Sequence, residues 1–361
     1  MERAPTIDLP LHGGHAPPWL INLMKELSKE VCNIIINEYG TEAFLSRISD
    51  PLWFQSFGCV LGYDWHSSGV TTVVTGVIKT VLNEQDLGII VAGGKGRKSR
   101  KVPDEILELS KKIGIDDPSK FIRVSRLVAK IDNNLIQSGH VLYHHVILID
   151  EKGNWAVVQQ GMNENEIKAR RYHWFSKNVS SFVNEPHNGI IGEPVSIKVL
   201  NMVAKESEDC RKACVDIVNE NPLKVKRLVK ESFSGPLDHW IFGSREIRYE
   251  MPLNLDWNLI EELYELKPSK YEEIVEFKGV GPKTIRALAL VSEIVFGTPA
   301  AWRDPAKFSF AHGGKDGVPY PVDKNTYRNT IAIFKDAIER AKLGSYEKLS
   351  ALKRLSRLDI Y

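Results

Sequence analysis

The sequence has little cysteine, little net charge and no long apolar run. Its 361 residues include four cysteines, too few for the disulfide framework of a small secreted domain. The formal net charge is only +2, so a nucleic-acid-binding surface would have to come from local clusters of basic residues. The most apolar stretches, such as GVTTVVTGVIKTVL, are too short and too rich in threonine to span a bilayer. We therefore expect a soluble cytoplasmic protein.

The pattern of apolar residues indicates two zones of secondary structure. The segment PPWLINLMKELSKEVCNIIINEYG begins with proline and ends with glycine, as an amphipathic helix does. Residues 139–161 are typical of two strands around a turn, with Gly153 and Asn154 in the turn. After about residue 200 the pattern changes to helices. We expect an α+β protein, with a mixed α/β domain containing a β-hairpin at residues 1–200 and an all-helical domain at residues 201–361.

One glycine-rich segment lies between two of the predicted helices: FKGVGPKTIRAL, residues 277–288. Glycine permits positive φ and leaves no side chain in the way, so backbone N–H groups can approach a phosphate. The dipole of the following helix favours an anion at the same place. This layout resembles the helix-hairpin-helix module. The alternative is a tight corner between two helices with a surface lysine. The resemblance implies that five residues hold the DNA backbone without reading its sequence: Gly279, Val280, Gly281, Lys283 and Thr284.

The segment PVDKNTYRNTIAIF, residues 321–334, resembles the stretch that follows the hairpin in endonuclease III type DNA glycosylases. The resemblance implies that Val322, Asp323 and Arg328 occupy the matching positions, and that Lys283 occupies the place of the Schiff-base lysine. Such an amine attacks C1′ of the sugar, and the carboxylate stabilises positive charge on that sugar. Lys283 and Asp323 are 40 residues apart, about twice the family's separation, which an inserted loop would explain. Asp323 would equally serve as an ordinary helix N-cap.

The first 200 residues carry a second resemblance. Five segments resemble a domain-of-unknown-function family found mainly in thermophilic archaea and some bacteria: LPLHGG, SDPLWFQSFG, GYDWHSSGVTT, AGGKG and GNWAVVQQGMN. This resemblance would cover nearly the whole chain, including the hairpin, and it implies no particular activity.

Two basic clusters in this half are candidates for phosphate contacts. The segment AGGKGRKSRK places Lys95, Arg97 and Lys98 in a glycine-rich loop, which would contact DNA or simply remain solvated. The segment KARRYHWFSK places Arg170 and Arg171 beside aromatic rings, which can stack on unpaired bases. The alternative is that these aromatic residues belong to the core.

A different chemistry would use metal ligands or acid–base groups from the same half. The segment GYDWHSSGVTT contains Asp64 and His66. The segment LYHHVILID contains His144 and Asp150, which share one face of a strand because their separation is even. A metal-dependent nuclease needs carboxylates and imidazoles of this kind around a divalent ion. GYDWHSSGVTT is otherwise explained as a helix start capped by serine, or as a phosphate cradle.

Together these features predict a DNA-binding and DNA-processing enzyme. It would remove damaged bases or cleave at lesions by a glycosylase or lyase mechanism, with Lys283 and Asp323 as the catalytic pair and without a cofactor. One alternative is a nuclease in which the four candidate metal ligands hold a divalent ion and the hairpin only grips phosphate. The other alternative is a non-catalytic DNA-binding protein. DNA is the expected partner in each case.

Overall fold

A five-stranded antiparallel sheet lies at the centre of the molecule. The structure is a computed structural model that describes residues 9, 16–63, 68–195, 198–233, 256–306 and 324–356. The strand order in the large sheet is β1-β3-β4-β5-β6, and β2 pairs with β7 separately. The strands are Ile89–Lys95 (β1), Ile136–Gln137 (β2), Val141–Asp150 (β3), Trp155–Asn163 (β4), Lys168–Phe175 (β5), Gly189–Ile191 (β6) and Leu200–Asn201 (β7).

Helices surround this sheet. A short 3-10 helix, Gly96–Lys101, connects β1 to the next α-helix. The α-helices of the described residues are Pro18–Tyr39 (α1), Thr41–Ser49 (α2), Pro51–Val60 (α3), Gly69–Glu84 (α4), Val102–Leu109 (α5), Ser119–Asn134 (α6), Glu208–Asn219 (α7), Pro222–Phe233 (α8), Trp257–Leu266 (α9), Tyr271–Glu276 (α10), Pro282–Phe296 (α11), Lys324–Arg340 (α12) and Ser345–Ser356 (α13).

Both faces of the sheet are buried. Successive residues of a strand point to opposite faces, so Ile147 and Val146 on β3 belong to different cores. Ile147 packs in a core with α5, α6 and the helices α7 to α11, and we call this side the α6 face. Val146 packs in a core with α1 to α4, α12 and α13, which we call the α4 face. The molecule is therefore a mixed α/β protein with three layers.

Helices that follow residue 200 contribute to both cores. Helices α7 to α11 pack on the α6 face, whereas α12 and α13 pack against the N-terminal helices on the α4 face. The structure therefore does not confirm a division into two domains near residue 200. The reason is that neither face of the central sheet is covered by residues from only one half of the chain.

Several elements predicted from the sequence are present. The first helix begins at Pro18 and is followed by Gly40. The predicted strand pair is β3–β4, and Gly153 in its turn has a φ of 81°. The apolar run that contains Val74 and Ile78 is a helix, α4, whose buried residues recur at helical spacing. No helix in the described part of the chain is both long and apolar enough to cross a membrane.

The attachment of α12 to the N-terminal helices can be tested at Phe334. This side chain is fully buried, and its ring stacks on Trp53 with 4.7 Å between centroids. We expect Phe334→Ala to lower the free energy of unfolding by about 3–5 kcal/mol, because it leaves a cavity in that core. The neighbouring exposed change Lys335→Ala should alter it by less than about 0.5 kcal/mol. Urea unfolding of both variants checks this, and equal stabilities would show that α12 is not part of the α4-face core.

Candidate functional site

The glycine hairpin, residues 277–284, connects α10 to α11. Gly279 has a φ of 95°, a conformation that favours glycine. Gly281 has a φ of −132° and a ψ of −175°, which is extended backbone open to any residue. Both glycines permit positive φ, and only Gly279 adopts it. A Cβ atom at Gly281 would meet nothing within 4 Å, so this position contributes open space in front of the backbone.

The inner side of the hairpin is held by residues of α6 and β2. Lys130 Nζ donates to the carbonyl oxygens of Val275, Glu276 and Phe277, at 3.0, 2.9 and 2.6 Å. These carbonyls lie at the C-terminal end of α10, where orphan acceptors and the helix dipole favour a cation. The hairpin is therefore fixed to the α6 face of the sheet.

The outer side of the hairpin carries two exposed lysines, Lys278 and Lys283. The N-cap position of α11, Gly281, offers no side-chain cap, so first-turn N–H groups point outward with the positive end of the helix dipole. Thr284 is only 8% exposed and Val280 only 4%. Both face the core, so the predicted hydroxyl donor at the helix entrance does not lie on the outer surface. Backbone amides and lysines carry the positive potential of this surface.

The predicted basic loop lies at the end of β1. Lys95 is the last residue of the strand, and Arg97 and Lys98 lie in the 3-10 helix that follows. All three side chains are exposed. Lys95 Nζ lies 5.8 Å from the centre of the Tyr143 ring. Their exposure fits both alternatives, a loop that contacts DNA and a loop that remains solvated.

Arg170 and Arg171 lie in β5, and both are fully buried. This corrects the expectation of a basic surface, because neither guanidinium reaches solvent to contact a DNA backbone. Their neighbours in β5, including Tyr172 and Trp174, are buried with them, which fits the core alternative for the aromatic residues. Arg170 points to the α6 face, where its Nη2 donates to Asp304 Oδ2 at 2.6 Å.

Arg171 belongs to a polar row on the α4 face of the sheet. Residues paired across neighbouring strands point to the same side. The register connects four residues across β1, β3, β4 and β5, which we call the polar row: Lys95, His144, Gln160 and Arg171. Residues that the sequence places in separate motifs are therefore neighbours.

Helix α4 covers the buried part of the polar row. Thr75 Oγ1 and His144 Nε2 are hydrogen-bonded at 2.9 Å. The Gln160 amide accepts from Thr71 Oγ1 and donates to the Ser68 carbonyl oxygen and to the Tyr143 hydroxyl. Gln160 thus joins the first turn of α4 to the sheet.

The candidate metal ligands are not brought together in the described structure. His144 and Asp150 share a face of β3 as predicted, but six residues of strand separate them by about 20 Å. Asp150 accepts from the backbone N–H of Lys152 and of Asn154 at 3.0 and 2.8 Å, so it closes the β3–β4 turn. Asp64 and His66 lie outside the described residues, as does Asp323. Within the described ranges, no group of three or more His, Cys, Asp or Glu residues could hold a metal ion.

Sequence reasoning missed a second polar network, on the α6 face. Asp132 is fully buried and accepts from Trp174 Nε1 at 2.9 Å, from Gln159 Nε2 and from His187 Nε2 at 2.5 Å. Gln159 Oε1 lies 2.6 Å from His145 Nδ1. A sequence signal existed, since Asp132 falls at helical spacing on the apolar side of α6. A buried aspartate at such a position needs donors, and β4, β5 and the loop before β6 supply them.

The described structure belongs to the mixed α/β class and is built on an antiparallel sheet. The polar row lies on the α4 face of this sheet. The glycine hairpin is fixed to the α6 face by Lys130. The family model described as "Protein of unknown function (DUF763)" matches residues 5–322. The chain therefore belongs to this family, in agreement with the motifs of its N-terminal half. No curated protein and no solved structure matches the chain.

The burial of His144 gives a testable pH dependence. Burial, followed by the charges of His145 and Lys95, lowers the pKa of His144 from 6.5 to about 3. In the unfolded chain this imidazole takes up a proton near pH 6.5, whereas the folded protein keeps it neutral. Its stabilising contribution is thus complete above pH 6.5 and is lost as the pH falls from 6.5 toward 3.

We expect His144→Gln to reduce the loss of stability between pH 6.5 and pH 4. The reduction should reach about 1.4 kcal/mol per pH unit, the value for one titrating group. Glutamine retains a group that can hydrogen-bond to Thr75. Urea unfolding at several pH values measures the slope, and identical slopes for variant and wild type would contradict the assignment.

Proposed function

We propose that the protein binds DNA through the glycine hairpin and processes it, by removing damaged bases or by cleaving at lesions. The observation that carries the binding proposal is the outer surface of the hairpin. There the N-terminus of α11 has no side-chain cap, the position at Gly281 is open, and Lys278 and Lys283 are exposed within the same short segment. Such a surface suits an anionic backbone.

The hairpin is suited to phosphate rather than to base edges. Its exposed donors are backbone amides and two lysine ammonium groups, which interact with phosphate irrespective of base sequence. Lys130 fixes the hairpin from behind through three hydrogen bonds, so little ordering is needed when a backbone docks. The exposed cations Lys95, Arg97 and Lys98 would add a second contact with the backbone. The resemblance to the helix-hairpin-helix module agrees with this mode of binding.

Reversal of the two hairpin charges tests the binding. We expect the double variant Lys278→Glu and Lys283→Glu to weaken binding to duplex DNA about tenfold or more, and to reduce the slope of log K against log salt by about 2. A matched control reverses Lys335 and Lys353, which are exposed on the helices of the α4 face. Fluorescence anisotropy at several salt concentrations provides both quantities. Equal losses in the two double variants would mean that the hairpin is not the binding surface.

The chemistry of the proposed reaction rests on the resemblance to endonuclease III type glycosylases. In that mechanism the amine of Lys283 attacks C1′ of an abasic sugar, the bond from C1′ to the ring oxygen opens, and loss of water gives an imine. The Lys283 side chain is exposed to solvent, so a bound sugar could reach it. Bound DNA would also exclude water from the amine, which the free protein does not do.

Borohydride trapping tests this reaction. We expect the wild-type protein to form a covalent complex with abasic DNA in the presence of borohydride, because reduction of the imine makes the bond permanent. Lys283→Gln should abolish the complex, whereas Lys278→Gln, a change in the same hairpin, should retain it. Denaturing electrophoresis detects the product. If no lesion gives a trapped complex, the lyase mechanism is wrong and the hairpin is only a grip.

The metal-dependent nuclease receives no support from the positions of His144 and Asp150, which lie about 20 Å apart along β3. A non-catalytic DNA-binding protein would show the predicted hairpin dependence of binding and no covalent complex. The two experiments above therefore separate binding from chemistry.

A further inference from the structure

Three sulfur-containing side chains meet in the core on the α6 face of the sheet. Cys210 Sγ lies 4.0 Å from Met202 Sδ, and the side chains of Cys210 and Cys214 are hydrogen-bonded to each other. Met202 follows β7, whereas both cysteines lie in α7. All three side chains are fully buried, and both thiols are free. We call these three residues the sulfur cluster.

The geometry of α7 suits an ion between the two thiols better than a disulfide. Residues four apart on an α-helix have Cβ atoms about 5–6 Å apart, whereas a disulfide needs about 3.5–4.5 Å. An ion that bonds to both sulfurs can bridge the wider gap. Two sulfurs bonded to one ion at about 2.3 Å and about 120° are about 4.0 Å apart, which is the separation of Cys210 from Met202. The ion therefore fits between the sulfurs and needs no separate cavity.

Two buried polar groups near the sulfur cluster favour the anionic, metal-bound form of its thiols. Arg211 is only 4% exposed, and its guanidinium donates to the carbonyl oxygens of Met202 and Ala204, both at 2.8 Å. No carboxylate of the described residues forms an ion pair with Arg211, which is within electrostatic range of both thiols. The hydroxyl of Tyr271 is buried without a partner among those residues and is in range of the same sulfurs. Two thiolates would thus meet a cation and a hydrogen-bond donor.

We propose that Met202, Cys210 and Cys214 bind one copper(I) ion. Thiolate and thioether sulfurs select soft ions such as copper(I). Structural zinc sites almost always have four ligands from cysteine, histidine or carboxylates, and the described residues provide no third ligand of that kind here. Each thiol releases its proton to solvent when the ion binds. The two thiolates and the copper(I) ion then carry a single negative charge, which the Arg211 guanidinium balances.

A cleft beside α7 brings solvent close to the sulfur cluster. It has a volume of about 450 Å³, and Arg211 and Tyr271 both line it. The bound ion connects the end of β7 to α7, next to α11, where the Ala289 carbonyl oxygen lies 3.9 Å from Cys210 Sγ. None of the three ligands belongs to the glycine hairpin, so the copper site does not depend on the proposed binding of DNA.

Anaerobic titration of the whole chain with copper(I), in competition with a colorimetric chelator, tests the site. We expect the wild type to withdraw one copper(I) ion per chain from the chelator. Cys210→Ser and Cys214→Ser should weaken binding by at least about 100-fold, and Met202→Leu by about tenfold or more. Tyr271→Phe, which removes only the hydroxyl, should weaken it about tenfold. The control Cys32→Ser changes a free, buried cysteine of the α4-face core and should retain full affinity.

X-ray absorption of the copper-loaded wild type provides a measurement that does not depend on the folding of any variant. It should show only sulfur neighbours at about 2.3 Å from copper. The thermal unfolding midpoint should rise with copper, because a ligand that binds only the folded state stabilises it. The double variant Lys278→Glu and Lys283→Glu should bind copper(I) like the wild type, which separates this site from the hairpin.

Four results would overturn the proposal. The chelator keeps all the copper, or nitrogen or oxygen atoms surround the bound ion. Substitution of Met202, Cys210 or Cys214 leaves the affinity undiminished, or zinc(II) binds to the same sulfurs in preference to copper(I).

Discussion

The register of β3, β4 and β5 is the constraint on which the rest of the structure depends. These strands carry polar and charged residues in a sheet that is covered on both sides, so such residues need partners from the segments that cover the sheet. In the observed register, Arg171 donates to Gln55 and Thr71 on the α4 face. Arg170 donates to Asp304 on the α6 face. A slip of one residue in β5 would exchange the two faces. Arg170 would then lose its carboxylate, which makes the register highly specific.

Helices α4 and α6 each provide a hydroxyl group that hydrogen-bonds to a buried histidine of β3. Helix α4 places Thr75 against His144, and helix α6 places Ser125 against His145 at 2.8 Å. The two histidines are adjacent in β3 and point to opposite faces. Because each hydroxyl pairs with a buried imidazole, neither helix can shift along the sheet without breaking a buried hydrogen bond.

Helix α6 also connects the centre of the sheet to the hairpin. Asp132 on this helix gathers donors from β4, β5 and the loop before β6, while Lys130, two residues earlier, caps α10. The position of the hairpin is thus determined by the same helix that is locked to the buried polar groups. This gives the exposed hairpin a rigid support.

The sequence by itself determined the elements whose signals are local. The first helix follows from its flanking proline and glycine, the β3–β4 pair from its β-branched runs around a Gly-containing turn, and the glycine hairpin from its composition. The family membership also follows from motifs that can be read along the chain.

The tertiary structure decided what required contacts between distant residues. Only the packing shows that α12 joins the N-terminal helices, that Arg170 and Arg171 are inside rather than on the surface, and that Asp132 is a buried acceptor. It also brings Lys95, His144, Gln160 and Arg171 into one row. The physical reason is that the burial of both sheet faces arises from contacts between residues far apart in the sequence, such as Arg170 with Asp304 and Arg171 with Gln55, which no local pattern encodes.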